Sequence, residues 1–92
     1  MSDTIVDNKK GHRFEMAIGD DMAVAYYSIE GGKYVLLHTE VPFAISGQGV
    51  GSRLARLVFD EIDTRGARII AKCPFMSAFA ARHPEYNRLV DG

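Results

Sequence analysis

One cysteine, no tryptophan and three prolines are all that the chain holds of residues that staple or stiffen a small fold. The lone Cys73 excludes an intramolecular disulfide and points to a reducing cytoplasm. Eleven Lys and Arg against twelve Asp and Glu leave a formal net charge of -1. That balance argues against nucleic-acid binding, which needs a clustered basic excess. No apolar run is long enough to span a bilayer. Three histidines and one cysteine lie scattered without ligand spacing, so a metal site is not expected. The opening "MSDTIVDNKK" has no apolar core of a signal peptide and reads as a frayed tail over residues 1–10, leaving 11–92 as one domain with a small core.

What is present is a change of period. "HRFEMAI" (12–18) alternates, putting Phe14, Met16 and Ile18 on one face and Arg13 and Glu15 on the other, as a half-buried strand does. "MAVAYYSI" (22–29) follows a Gly-Asp-Asp turn, and Gly31-Gly32 sets up a tight hairpin into "KYVLLHTEV" (33–41). These three segments predict an antiparallel meander. From Val50 the period becomes helical: Val50, Leu54, Leu57, Val58 and Ile62 fall on one side, and Ser52, Arg53, Arg56, Asp60 and Asp63 on the other. Glu61 breaks the apolar arc and needs an overhang or a partner. The helix stops at Arg65-Gly66. "ARIIAKC" (67–73) predicts a fourth strand, Pro74 opens a short helix, and a further turn follows Pro84. Strand, helix, strand in that order is a crossover, so the third and fourth strands should run parallel with the long helix on one face: an α/β (α+β) fold.

After Pro42 comes the loop "FAISGQG", and with Gly51 just inside the helix it makes three glycines in five positions. Glycines before a helix N-terminus let an anion reach its unsatisfied N–H groups, so Ser46 to Gly51 suit a pyrophosphate cradle; they suit a tight strand-to-helix turn equally well. A Walker loop is excluded because no Gly-Lys-Ser/Thr occurs. A dinucleotide-binding loop would follow the first strand of a parallel sheet, and this one follows a meander.

The order meander, glycine loop, helix, strand, helix resembles the GNAT superfamily of N-acetyltransferases, whose Gln/Arg-x-x-Gly-x-Gly/Ala signature falls on Ser46 to Gly51. "HTEVP" (38–42), "GQGVGSRL" (47–54) and "CPFMSAFAARHPEY" (73–86) together resemble the small GNAT-like acetyltransferases of the YjdJ type. The resemblance implies a minimal GNAT-like fold and acetyl-coenzyme A (acetyl-CoA) as cosubstrate. Its pyrophosphate would lie on the backbone of Gly47, Gln48, Gly49, Val50, Gly51 and Ser52. Its pantetheine arm would enter where the parallel strands splay, near Thr39, Val41 and Cys73. Ser46 stands where the superfamily usually has Gln or Arg, and Phe79 near the place of a tyrosine proton donor in larger relatives. The N-terminal strand and helices that enclose the acceptor in those relatives are missing, which implies an open acceptor side, completed by a partner chain or homodimer if at all.

Acetyl transfer from a thioester to an amine needs a base for the amine and a proton for the departing thiolate. Cys73, at a strand end just before Pro74, sits where a helix N-terminus favours a thiolate; it is a candidate nucleophile or acid, or else a small core residue. His38 and Glu40 share one face of the third strand and are candidates to relay the amine proton, or else a hydrogen-bonded strand residue and a solvated charge. His83 reads as shaping the turn before Pro84, and His12 as a surface residue. Phe75, Met76 and Phe79, at helical spacing, read as core. The expected function is an acetyl-CoA-dependent N-acetyltransferase acting on an amine of a small molecule or protein. The alternatives are a non-catalytic coenzyme A-binding sensor or adaptor and a structural domain without a ligand.

Overall fold

Alternation in β2 (Arg13–Ile18) and β3 (Asp21–Glu30) decides which sheet face is covered. Phe14, Met16, Ala23, Ala25 and Tyr27 join one buried cluster, while Arg13 and Glu15 pair at 2.7 Å on the opposite face. β3 turns into β4 (Lys33–Glu40) through Gly31-Gly32, between the paired residues Glu30 and Lys33. Both glycines have positive φ (58° and 77°), as a two-residue hairpin loop that follows the strand twist requires. The computed structural model describes residues 4–92.

The meander has four strands, not three. Residues 1–10 read as a tail in the sequence, yet Val6–Asn8 form β1, antiparallel to β2 with Asp7 opposite Phe14; residues 1–3 lie outside the described residues. Polar anchors hold this strand, and no apolar alternation announces them. The Tyr27 hydroxyl donates to Asp7 at 2.6 Å, Arg65 Nη1 pairs with Asp7 at 2.8 Å, and Asn8 Nδ2 donates to Glu15 at 2.8 Å. Burial first, and the Asp7 carboxylate second, raise the Tyr27 pKa well above the usual phenol value, so the hydroxyl stays a donor.

The helical segment forms α1 (Val50–Thr64) and returns to β5 (Arg68–Ala71), which pairs in parallel with Lys33–Leu36 of β4. The sheet is mixed, in the order β1-β2-β3-β4-β5. The expected apolar side of α1 is buried at Val50, Leu54, Val58 and Ile62, with Ala55 and Phe59 added and Leu57 partly covered. Glu61 finds its partner one turn on, in Arg65 at 2.9 Å. α2 (Pro74–Arg82) and the 3-10 segment Pro84–Leu89 pack on the same side as α1. Phe59 meets Phe79 and Tyr86 edge-on at 5.3 and 5.2 Å between centroids. The Tyr86 hydroxyl donates to Asp60 at 2.7 Å; burial and then Asp60 push its pKa up to about 12. Both helices therefore cover one face of the sheet, and Arg13, Tyr26 and His38 stand on the other. Among the described residues no helix is long and apolar enough to cross a membrane.

The outer edge of β5 is covered by the chain's last residues. Val90 bridges to Ile69, Asp91 N–H donates to Ile69 O at 2.8 Å, and Ala71 N–H donates to Gly92 O at 2.6 Å. The Asp91 carboxylate meets Arg68 at 2.7 Å and Lys33 at 3.1 Å. Hydrogen bonds from Arg68 and then Lys33 lower its pKa from 3.8 to about 2. A carboxylate held down in this way stabilises the fold fully above its unfolded value and ceases to do so as pH falls through the folded value. Urea unfolding between about pH 6 and about pH 2 should therefore show stability falling below about pH 4. In Asp91→Asn that fall should be shallower; an unchanged slope would remove Asp91 from the account.

Candidate functional site

β4 and β5 part company at one carbonyl. Lys72 N–H and Cys73 N–H both donate to Leu36 O, at 3.0 and 2.9 Å, and ladder pairing between the two strands goes no further than Leu36 and Ala71. One residue later β4 bulges: Tyr26 opposes His38 and Tyr27 opposes Leu36, leaving Leu37 as the extra residue. Beyond it β4 stays paired with β3 to Glu40, while β5 has ended and the chain turns into α2. The two strands splay.

A cleft of ≈ 400 Å³ lies at this splay, lined by Thr39, Val41, Ser46, Gly47, Gly49, Val50, Gly51 and Phe75. Six of the eight expected cosubstrate residues are thus gathered in one concavity. Gln48 and Ser52 are exposed and not on its wall; the Gln48 carbonyl accepts from Arg53 Nη1 at 2.9 Å. Gly47 and Gly49 take positive φ, 79° and 73°, which L side chains adopt at a cost. Gly49 is the N-cap of α1, with no side-chain cap and no acid in the first turn. The first helical bond is Arg53 N–H to Gly49 O at 3.1 Å, so helix geometry aims the N–H groups of Val50, Gly51 and Ser52 out of the helix end. Ser46 braces the loop locally: its N–H and Oγ both donate to Phe43 O, at 3.2 and 2.9 Å.

At the other end of the cleft, Thr39 Oγ1 lies 3.3 Å from Cys73 Sγ. Cys73 is 3% exposed and is the N-cap residue of α2. His38 and Glu40 touch each other, Nε2 to Oε2 at 3.2 Å, and both are exposed. They point away from Cys73. Thr39 between them faces the cleft, and the His38 ring stacks on Tyr26 on the uncovered face, 6.2 Å between centroids. The structure therefore brings Cys73 together with Thr39, and His38 with Glu40, on opposite sides of one sheet.

Phe75 is the wall residue that sequence reasoning placed elsewhere. Met76 and Phe79 are in the core as expected, whereas Phe75 is 37% exposed and faces the start of α1. Its position in the first turn after Pro74 carries it past the rim of the core, a cue that helical spacing alone does not give. His83 shapes its turn as expected, with Nδ1 2.8 Å from Phe79 O and its ring stacked on Phe79. Among the described residues no group of three or more His, Cys, Asp or Glu side chains is placed to hold a metal ion.

A parallel strand pair that splays beside a bulge, with an uncapped helix start facing the gap, defines a minimal GNAT-like fold. The family model described as GCN5-related N-acetyl-transferase matches residues 13–89, and the chain belongs to that family, one of acyltransferases. No curated protein matches the chain.

Gly51 answers to packing, not to backbone angle. A Cβ there would meet the Phe75 ring at 2.7, 3.2 and 3.4 Å. Gly51→Ala should destabilise the protein by about 1 kcal/mol through this overlap. In a Phe75→Ala background the same change should stabilise it by about 0.5 kcal/mol, because alanine is the better helix former. Equal effects in both backgrounds, measured by urea unfolding, would show that Phe75 does not dictate the glycine.

Proposed function

We propose that this protein is an N-acetyltransferase that moves the acetyl group of acetyl-CoA to a primary amine, of the small YjdJ type that its HTEVP and CPF–RHPEY blocks resemble. The observation that carries the reading is the cleft itself. In a chain of this family, it joins an uncapped helix start at one end to Thr39 at the other, and Thr39 in turn contacts Cys73, which is buried and not on the cleft wall. The pyrophosphate lies on the N–H groups of the Gly47 to Ser52 turn, where backbone donors and the helix field favour anions. The pantetheine arm runs along Val41 and Thr39 to the splay.

An amine arriving from the uncovered face attacks the thioester carbonyl carbon. The N–C bond forms, the C–S bond breaks, and the amine proton passes to the hydrogen-bonded His38–Glu40 pair, directly or through water. The departing thiolate takes a proton from Cys73 or from solvent. In the covalent variant Cys73 Sγ first attacks the thioester carbon, coenzyme A leaves as its thiol with the Cys73 proton as the C–S bond breaks, and the amine then displaces the acetyl group from Cys73. The uncovered face leaves room for a protein amine as well as a small one, and for a second copy or partner that completes the acceptor side. With one cysteine, buried and reduced, the cytoplasm suits this chemistry.

A second reading, a coenzyme A-binding sensor without turnover, is favoured by Phe79, which is 1% exposed and offers no proton donor where larger relatives have a tyrosine. Backbone amide shifts on titration with acetyl-CoA, followed by the protein's mass, separate the readings. Shifts are expected at residues 47–52, and a mass increase of one acetyl group, lost in Cys73→Ala, marks the covalent variant. His38→Ala and Glu40→Gln should each slow transfer to a panel of amines by about 100-fold while acetyl-CoA still binds. Gly49→Val should weaken acetyl-CoA binding at least about tenfold, since valine does not tolerate the loop's backbone angle. Binding without transfer to any amine would favour the sensor, and unchanged binding by Gly49→Val would remove the loop from the site.

A further inference from the structure

We infer that a second site, at the hairpin end of the sheet, binds a small planar aromatic carboxylate. The inference stands apart from the acetyltransferase reading. A concavity of ≈ 340 Å³ is lined there by Asp7, Lys9, His12, Tyr27, Ile29 and Tyr34. It lies on the helix-covered face beside Arg65, the C-cap of α1, and about 15 Å down β4 from Thr39. A space of this size takes a molecule of one or two rings. Three of its six lining residues are themselves rings. Tyr27 and Tyr34 meet at 5.3 Å between centroids, and the His12 ring stands edge-on to Tyr27 at 6.5 Å. Ile29, 56% exposed, adds an apolar side chain at the rim.

The polar groups around these rings decide which ligand fits. Asp7, the one acid on the wall, is engaged at both oxygens: one accepts from the Tyr27 hydroxyl at 2.6 Å and the other pairs with Arg65 at 2.8 Å. Its charge is balanced before any cationic ligand arrives. The donors are in the opposite condition. Arg65 Nη1 donates to the Tyr34 hydroxyl oxygen at 2.8 Å, and among the described residues no acceptor takes the hydroxyl's own proton. The Lys9 ammonium and the His12 ring nitrogens have no hydrogen-bond partner among the described residues either. Three unengaged donors around aromatic rings, with the only acid already balanced, are complementary to a flat ring that carries an anion. The wall is also held in place. His12 has φ 54°, in the left-handed region that side chains seldom enter, and it is tied there at both ends: its carbonyl accepts Tyr27 N–H at 2.9 Å and its N–H donates to Lys9 O at 3.3 Å. Asn8 Oδ1 closes the same turn by accepting Gly11 N–H at 3.0 Å.

The test is titration of the full chain with benzoate, benzamide and cyclohexanecarboxylate, followed by backbone amide shifts, in the native sequence and in Lys9→Ala, Tyr34→Phe and His12→Gly. Benzoate should shift the amides of Lys9, His12, Ile29 and Tyr34 and leave residues 47–52 in place. Benzamide, the same ring without the charge, should bind at least about tenfold more weakly. Cyclohexanecarboxylate, the same charge without the flat ring, should bind at least about threefold more weakly. Tyr34→Phe keeps the ring and leaves Arg65 its pairs with Asp7 and Glu61, so it removes the hydroxyl alone; it should weaken benzoate about threefold. Lys9→Ala should weaken it by a similar factor of about three. His12→Gly removes the ring and suits the backbone angle, so benzoate affinity should fall while stability in urea holds, which general damage to the fold would not produce. Shifts confined to residues 47–52, or none at all, overturn the site. Benzamide or cyclohexanecarboxylate binding as well as benzoate overturns the assigned ligand class, and undiminished benzoate binding in all three variants removes these side chains from the account.

Discussion

The cleft between β4 and β5 depends on the Leu36 carbonyl taking two donors at once. In a regular parallel ladder the N–H groups of consecutive residues point to opposite edges, so Lys72 would donate to β4 and Cys73, like Ala71, to the outer edge. Here both close on Leu36 O, at 3.0 and 2.9 Å, and the Leu37 bulge follows at once. The double acceptance ends β5 and points its chain into α2. The bulge adds a residue to β4, which keeps His38 opposite Tyr26 on the uncovered face and Thr39 toward Cys73. Without that extra residue the alternation would be shifted by one, turning His38 to the cleft and Thr39 away from it.

The second constraint is that all the helical cover lies on one face. The Phe59, Phe79 and Tyr86 rings lock α1, α2 and the 3-10 segment into one layer, and Arg56 lies over Phe79 and Tyr86 while donating to the Tyr86 hydroxyl. The opposite face carries Arg13, Glu15, Tyr26, His38 and Glu40, which pair with one another, with Val24 buried between Glu15 and Glu40. Exposed pairs of this kind contribute little to stability. Their effect is to keep polar groups exposed on the sheet face directly behind the splay.

Much of the fold was legible because period and punctuation agreed. The β2 alternation, the runs of strand formers in β3 and β4, the Gly31-Gly32 hairpin, the helical stripe from Val50 to Ile62 and Pro74 as a helix start all appear where the residues place them. β1 was not legible: three residues carry no period, and the strand is held by Asp7 and Asn8 reaching Tyr27, Arg65 and Glu15. The candidate site was legible as a set of positions that share a cleft, with Thr39, Val41, Gly47, Gly49, Val50 and Gly51 along its lining. Its sidedness was not. His38 and Glu40 sit near Cys73 in sequence logic, but which face a strand residue takes beyond a bulge is set by a register shift that no pattern in "YVLLHTEV" marks. Phe75 was missed for a related reason, because helical spacing predicts shared faces and says little about the first turn, which overhangs the core.

The three glycines of the loop look alike in sequence and differ in cause. Gly47 and Gly49 are fixed by positive φ, and Gly51 by the ring of Phe75. Each of these demands would arise in a loop that did nothing but turn a strand into a helix, so the glycines by themselves do not identify a binding site. The missing cap does more. A helix start whose only task is to begin a helix is best served by Ser, Thr, Asp or Asn at the N-cap and an acid in the first turn, worth about 1 kcal/mol for the cap alone. This one has Gly49 as N-cap, Val50-Gly51-Ser52 in its first turn, no side-chain cap and no acid, and it faces a cleft. The nearby Ser46 hydroxyl, which could serve as a cap in another loop, is turned back onto Phe43 O. Stability forgone at the mouth of a cavity is what a site for an external anion requires, because an internal oxygen on those N–H groups would compete with it. The missing cap, and not the glycine count, is therefore what sets this loop apart from a plain strand-to-helix turn.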